Sequence, residues 1–429
     1  MEKRTYAEFN QSLYETTLAN GLKVRLIPMV GYHKTYAMLT TDFGALDRTL
    51  PAVVGGQSLP AGLAHFLEHK LFEKADHDAF DLFGELGADS NAFTSFTQTS
   101  YLYSTTSNFR ENLEVLLDFV QTPYFTAQTV AKEIGIISQE IKMYNDNPDS
   151  RLYMGMMGNL YPHDPLADDI AGTEESIKTI TPELLYQTHA AYYRPEYLTL
   201  QVAGNLDPAE TLAWIEQNQA AKQFAAPLQE PLTFTPADPS GHDLLPYRHL
   251  TMPVLRPKVM VGLRGHLPAG TPLARLKSQV AISMMLELLF DDTGEHYQAL
   301  YDQGIIDDSF SFSYESNRGF DFALFATETT QQAAFRGAIA NLVENAPAEL
   351  ARVQTQFAML KNATLGRLIG ALDSPEAIVN RFATRETGSL TIYDEIRVLR
   401  ALTWADIQQA AANFMDHDRL SVYEIDAEN

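Results

Sequence analysis

The sequence has no cysteine, only 31 Lys and Arg against 55 Asp and Glu, and no long uninterrupted apolar run. The absence of cysteine excludes disulfides, thiolate nucleophiles and cysteine-ligated zinc, so histidine and carboxylate side chains must bind any metal. The net charge of −24 disfavours nucleic acid and anionic membrane surfaces as partners, because phosphate binding requires a basic patch. No stretch approaches the roughly 20 apolar residues of a membrane span, and the N-terminus lacks a signal-like apolar region. We therefore expect a cytoplasmic protein.

The 429 residues are 45% hydrophobic and 20% charged, which suits a globular chain with two or more domains. Residues 221–247 contain five prolines and show no helical or strand periodicity, which indicates an extended linker. We predict an N-terminal domain over residues 1–225, a proline-rich linker over 226–246 and a C-terminal domain over 247–429.

The two halves of the sequence end in similar segments. TPELLYQTHAAYYRPEYLTLQV, which starts at Thr181, aligns without a gap with TWADIQQAAANFMDHDRLSVYE, which starts at Thr403. In both segments a threonine cap opens an amphipathic helix and an alternating strand follows. Any two helix–strand segments share some of these features, so an internal duplication is a hypothesis. Strands in hairpins with helices grouped between them predict α+β domains with mostly antiparallel sheets.

The segment AGLAHFLEHKLFEK places His65, Glu68 and His69 on a predicted helix. Because positions four apart share a helical face, the two imidazoles can converge on one ion, and the Glu68 carboxylate reaches the same face. This H-x-x-E-H pattern is typical of one class of zinc helices. A catalytic zinc needs three protein ligands, so a third must come from elsewhere. The alternative is a pair of solvated histidines with a glutamate partner.

A second helical pattern, TVAKEIGIISQEIKMYNDNP, carries Glu133 and Glu140. Seven residues are close to two helical turns, so the two carboxylates lie on one face. Acids beside an apolar stretch cost desolvation energy unless a positive group meets them, and a metal with its histidines is such a group. The alternative is a pair of exposed glutamates.

The H-x-x-E-H pattern followed by E-x6-E resembles the pitrilysin/insulysin family of zinc metallopeptidases, which includes the mitochondrial processing peptidases and small bacterial relatives. The segments GADSNAFTSFTQTSYLYS and YNDNPDSRLYMGMMGNLYPHD are also similar to segments of that family. The resemblance implies that His65, His69 and Glu140 bind Zn²⁺, that Glu68 is the general base, and that Glu133 orients a ligating histidine.

The resemblance also bears on fold and substrate binding. It implies two homologous α+β domains of mostly antiparallel sheet packed with helices, which together form half of a clamshell. It further implies that Asn91, Ala92 and Phe93 lie on an edge strand, where an extended peptide substrate adds through backbone hydrogen bonds. Ordinary sheet packing is an equal explanation for Phe93.

The second half departs from the family pattern in one stretch. Many members have an Arg and a Tyr in a segment like LREKGLVYSV, whereas this chain reads LYDQGIIDDSFSF, with Tyr301 in place of the Arg and Asp307 and Asp308 near the place of the Tyr. The resemblance implies that a second chain supplies the missing groups. We expect a dimer, with a paralogous partner that lacks the zinc motif favoured over a second copy.

The resemblance thus predicts a zinc-dependent endopeptidase that cleaves short or unfolded peptides, with water activated by zinc and Glu68. The alternative is a non-catalytic peptide-binding or assembly subunit of a processing complex, because some family members keep the fold without the chemistry. The intact H-x-x-E-H pattern argues against that alternative.

Overall fold

The structure, a computed structural model, describes residues 1–51, 55–225, 244–267, 269–381 and 387–428. Most of the predicted linker, residues 226–243, lies outside the described residues. The chain divides into two compact units, each built from three segments. The first unit comprises Met1–Ile141, Asp169–Phe234 and Ala371–Tyr393, and the second comprises Lys142–Asp168, Thr235–Gly370 and Asp394–Asn429.

The first unit contains a seven-stranded sheet. Its strands are β1 (Glu2–Tyr6), β2 (Gln11–Thr17), β3 (Lys23–Pro28), β4 (Thr35–Thr41), β5 (Ala88–Thr94), β6 (Thr99–Thr105) and β7 (Leu198–Gly204). They lie in the order β1-β2-β3-β7-β4-β6-β5, and every neighbouring pair is antiparallel except β3 and β7. Asn20 and Gly21 lie in the turn that joins β2 to β3, and an Asn-Gly pair is typical of such hairpin turns.

The second unit contains a five-stranded sheet. Its strands are β8 (Tyr247–Met252), β9 (Lys258–Arg264), β10 (Ser311–Asn317), β11 (Phe320–Glu328) and β12 (Leu420–Ala427). Their order is β10-β11-β9-β12-β8, with β8 and β12 as the one parallel pair in this sheet. The same sequence of connections and directions occurs in the first sheet as β5-β6-β4-β7-β3. The prediction of two homologous, mostly antiparallel α+β domains is confirmed.

Helices cover the sheets of both units. In chain order they are α1 (Leu63–Phe72), α2 (Ala79–Glu85), α3 (Phe109–Gln121), α4 (Ala127–Asp146), α5 (Pro148–Leu160), α6 (Glu174–Ile177), α7 (Pro182–Tyr192), α8 (Pro208–Ala220), α9 (Pro272–Phe290), α10 (Glu295–Asp302), α11 (Gln332–Glu344), α12 (Ala346–Val353), α13 (Phe357–Ala371), α14 (Pro375–Asn380), α15 (Ile392–Ala401) and α16 (Trp404–Phe414). Across the described ranges, none of the helices is long and apolar enough to cross a membrane.

The aligned segments at the ends of the two halves fold alike. Thr181 caps α7 by accepting a hydrogen bond from the Leu184 amide, and Thr403 caps α16 in a capping box with Asp406. In each copy the helix leads through a 3-10 turn into a strand, β7 or β12, and the bounds of the helix, those of the turn and the start of the strand match at one sequence offset. Shared caps and shared boundaries therefore support the duplication.

The compact units differ from the contiguous domains 1–225 and 247–429 by the exchange of two segments, Lys142–Asp168 and Ala371–Tyr393. The second of these contains α14, which packs on β7 and β4 of the first sheet. Tyr36 donates a hydrogen bond to Asn380 Oδ1 at 3.0 Å. Contacts between residues so distant in sequence leave no periodic signal from which they could be predicted.

Candidate metal centre

Helix α1 presents the histidines of the H-x-x-E-H pattern. It packs on β5, β6, α3 and α7 of the first unit, with Phe66 and Leu67 fully buried. Gly62 starts the helix with φ +85°, and a Cβ there would lie 2.4 Å from the carbonyl oxygen of Ala171. Only glycine fits here, because the backbone is left-handed and the Ala171 carbonyl leaves no room for a side chain. Gly62 therefore fixes where α1 begins.

His65 and His69 on α1 converge with Glu140 on α4, and together they form a group that could hold a metal ion. One donor atom from each lies within 4.8 Å of the other two. His65 Nε2 is 3.6 Å from Glu140 Oε1, and His69 Nε2 is 3.8 Å from Glu140 Oε2. Ligand atoms about 2.0–2.1 Å from a tetrahedral zinc would be roughly 3.3 Å apart. The two histidine–glutamate distances are only slightly longer than this value.

Glu133 lies on the same face of α4 but contacts only one of the imidazoles. Its Oε1 is 3.0 Å from His69 Nδ1, and the side chain is buried. This contact makes Nδ1 the protonated nitrogen and leaves Nε2 with the lone pair that faces Glu140. Glu133 and Glu140, predicted to share a helical face, therefore both meet the histidines of α1.

The electrostatic surroundings of the two imidazoles differ. Burial, together with the neighbouring His69, lowers the pKa of His65 to about 4. Burial also acts to lower the pKa of His69, but the hydrogen bond and charge of Glu133 outweigh it and raise that pKa above its ordinary value. His65 Nδ1 is buried without a hydrogen-bond partner among the described residues. A neutral His65 has the lone pair that a metal ion requires.

Glu68 lies on α1 between the two histidines in sequence and is 7% exposed. Burial raises the pKa of its carboxyl group, and a hydrogen bond from Thr94 partly offsets that rise. Thr94, the last residue of β5, is a site neighbour that the sequence patterns did not predict. It follows directly on the predicted segment Asn91 to Phe93, which was the one signal that could have pointed to it.

The predicted edge strand is confirmed as β5, which forms one end of the seven-stranded sheet. Exposure alternates along it, with Asn91 and Phe93 outward and Ala92 half-buried. The Ala92 amide donates a hydrogen bond to Asn91 Oδ1 at 2.8 Å. Because β5 ends at Thr94, the strand edge leads directly to Glu68.

The stretch that departs from the family pattern lies in the second unit. Tyr301 is on α10, where it is 41% exposed and its ring stacks near Tyr297. Asp307 forms an ion pair with Arg256 at 2.6 Å. Within the ranges that the structure describes, the group formed by His65, His69 and Glu140 is the one candidate metal cluster.

Known proteins resemble the chain in sequence and fold. Residues 58–174 match the insulinase family, peptidase family M16, and residues 179–361 match the peptidase M16 inactive domain. The chain is 38% identical over 422 residues to a Bacillus subtilis protein named "Uncharacterized zinc protease YmfH", with 98% of each chain covered.

Solved structures show the same relationship. A crystal structure of an M16-like peptidase from Alicyclobacillus acidocaldarius is 32% identical, with a TM-score of 0.89 and 97% and 99% of the two chains covered. A protease from Helicobacter pylori is 18% identical and shares the fold, with a TM-score of 0.81 and coverage of 96% and 99%. Fold and site thus define a two-domain peptidase architecture with a candidate metal group in its first half. The chain belongs to peptidase family M16.

Proposed function

We propose that the protein is a zinc-dependent endopeptidase that hydrolyses short or unfolded peptides. The observation that carries this proposal is the convergence of His65, His69 and Glu140 beside the buried carboxylate of Glu68. Two imidazoles and one carboxylate form a ligand set that zinc uses in catalytic sites, where a fourth position stays open. When bound there, zinc supplies a Lewis acid that polarises the scissile carbonyl and makes a water molecule more acidic.

The chain's own residues then transfer the proton and orient the candidate ligands. Glu68 accepts the proton of the attacking water and delivers it to the leaving amine, as a general base and then a general acid. Its burial favours the first of these steps, because a carboxylate with a raised pKa is a stronger base toward the proton of the water. Glu133 keeps His69 in one tautomer and orientation throughout.

The exposed edge of β5 supports an extended peptide as substrate. A peptide added beside Asn91, Ala92 and Phe93 would make backbone hydrogen bonds to a strand that leads to Glu68. Such binding requires a chain free of its own secondary structure at the cleaved bond, which is why short or unfolded peptides are the proposed substrates.

A dimer is part of the proposal. The second half matches the domain described as inactive, and Tyr301 and Asp307 stand where many family members have an Arg and a Tyr. We propose that a second chain, a paralogue without the zinc motif or a second copy, supplies groups that reach the substrate. The same match keeps a non-catalytic peptide-binding subunit as the second candidate function.

The test compares the wild-type protein with Glu68→Gln, each with a co-expressed partner where one is required. We expect about one zinc per chain in both by elemental analysis, and a loss of kcat of about 10²- to 10⁴-fold in the variant on a quenched fluorescent peptide. Glu111→Gln, at an exposed position of α3, is the matched control and should keep full activity. Unchanged cleavage by Glu68→Gln contradicts the proposal, and a folded, metal-free protein that binds peptide supports the second candidate.

A further inference from the structure

A short chain of hydroxyl groups connects Glu68 to the hairpin of β5 and β6. Thr94 Oγ1 donates a hydrogen bond to Glu68 Oε2 at 2.5 Å. Thr99 pairs with Thr94 across the hairpin, and its hydroxyl donates to the carbonyl oxygen of Phe43 at 2.9 Å. The two threonine hydroxyls themselves are 3.4 Å apart.

Proton counting assigns the direction of these bonds. Each hydroxyl has a single proton to donate. Thr99 gives its proton to a backbone carbonyl, so it has none for Thr94, and the Thr94 proton is committed to the Glu68 carboxylate. Glu68 therefore has one oxygen held by a donor whose own position is fixed by the hairpin.

The backbone around Thr94 is well anchored. Beyond the pairing with Thr99, the Ser95 amide donates to the carbonyl of Gln98 at 2.8 Å and closes the turn between the two strands. A free glutamate side chain samples several rotamers, and fixing it in one of them costs conformational entropy. Because the Thr94 hydroxyl is held by a closed hairpin, the Glu68 side chain is already ordered when the protein folds, before any substrate binds.

We propose that Thr94 is a positioning residue, whose hydroxyl holds the Glu68 carboxylate in the orientation that the proton transfer needs. The role assigned to Glu68 rests on the proposed function. Because Thr94 ends the strand whose edge takes the peptide, it also links substrate addition on β5 to the placement of the base.

The test uses two substitutions at Thr94 and one elsewhere in the same hairpin. Thr94→Val keeps the shape without the hydroxyl, and Thr94→Ser keeps the hydroxyl. The matched control is Thr105→Val at the far end of the hairpin. It removes a buried hydroxyl that donates to the carbonyl oxygen of Ser107 and accepts from the Ser107 amide. Measurements are kcat and KM on an extended peptide, zinc content, and crystal structures of the metal-free variants.

We expect Thr94→Val to lower kcat about tenfold to a hundredfold, the usual effect of losing a residue that orients an active-site group. KM and zinc content should stay within about twofold of the wild type, and Thr94→Ser and Thr105→Val should stay within about threefold in kcat. In the crystal structure of Thr94→Val, the Glu68 carboxylate should leave its present position, whereas Thr94→Ser should retain it.

Two results would overturn the proposal: a Thr94→Ser variant as impaired as Thr94→Val, or a Glu68 carboxylate that does not move in Thr94→Val. A wild-type protein without peptidase activity would refute the proposed function alone. The crystallographic comparison would still decide whether Thr94 positions Glu68.

Discussion

His69 Nδ1 lies 3.0 Å from Glu133 Oε1, while its Nε2 lies 3.8 Å from Glu140 Oε2. The two acids are seven residues apart on α4, yet the imidazole between them gives them different roles. Glu133 accepts the ring proton, and Glu140 faces the nitrogen with the lone pair. The two carboxylates look equivalent in the sequence, but they have different roles. Glu140 is a candidate metal ligand, and Glu133 supports the candidate ligand His69.

Replacing Glu133 by Gln should weaken zinc binding about tenfold to a hundredfold, because the imidazole loses the charged acceptor that fixes its tautomer. Competition with a chromophoric chelator measures the affinity. Glu111→Gln, an exposed substitution of the same kind on α3, serves as the control and should bind zinc as the wild type does. Equal affinities for the two variants would show that Glu133 does not support His69.

Replacing Phe93 by Ala should raise KM about threefold to tenfold with little change in kcat. Phe93 is 38% exposed on the edge strand β5, so its ring offers apolar surface to a peptide beside it. Steady-state kinetics on an extended peptide measure the effect. Val30→Ala, at a position 95% exposed and outside any strand, is the control. A KM unchanged by Phe93→Ala would place the peptide elsewhere.

The matching caps of α7 and α16 should contribute similar stability. Thr181→Ala and Thr403→Ala each leave a helix amide without its acceptor, which costs about 0.5–2 kcal/mol. The loss of the capping box with Asp406 should place Thr403→Ala toward the upper end. Urea unfolding followed by circular dichroism measures both. Thr181→Ser and Thr403→Ser keep the acceptor and should unfold like the wild type.

Local signals in the sequence predicted much of this structure. The helical pattern that carries Glu133 and Glu140 corresponds to α4, because this helix has an apolar face that packs against the core. Helical spacing predicted that His65 and His69 share one face and that Glu133 and Glu140 share another, whereas the meeting of the two helices was implied by the resemblance to the family. These predictions succeed because spacing along a helix fixes which residues share a face.

Contacts between distant segments were not predictable in this way. The docking of α14 on β4 and β7 depends on tertiary packing of residues from opposite ends of the chain. The bond between Thr94 and Glu68 joins a strand to a helix, and its residues have no fixed spacing that would predict it. Both features require knowledge of how elements pack, which periodicity does not contain.

A buried histidine outside the metal group should make stability depend on pH. His189 is 7% exposed, its Nε2 donates to the Val120 carbonyl at 2.9 Å, and its ring stacks on Tyr193. Burial lowers the pKa of His189 to about 4, whereas an unfolded chain has a histidine pKa near 6.5. Between about pH 4 and pH 6.5, the unfolded chain therefore binds a proton at His189 that the folded protein does not bind.

The sign follows from this difference. Above about pH 6.5 the imidazole is neutral in both states, and its contribution to stability is complete. As the pH falls toward 4, the unfolded state gains a proton and the folded state does not, so the free energy of unfolding decreases by on the order of 2–3 kcal/mol. The loss should be confined to this range of pH.

His189→Gln should remove the part of the pH dependence that His189 contributes, because an amide can donate to the Val120 carbonyl without titrating. The contribution of His65, whose pKa is also lowered to about 4, should remain. Urea unfolding at pH 7.5 and pH 5, with a chelator present so that zinc release does not contribute, gives the difference for each protein. His33→Gln, at an exposed position, should retain the wild-type dependence. If the two variants lose stability equally on acidification, His189 is not the group responsible, and protonation of another buried group must account for the acid sensitivity.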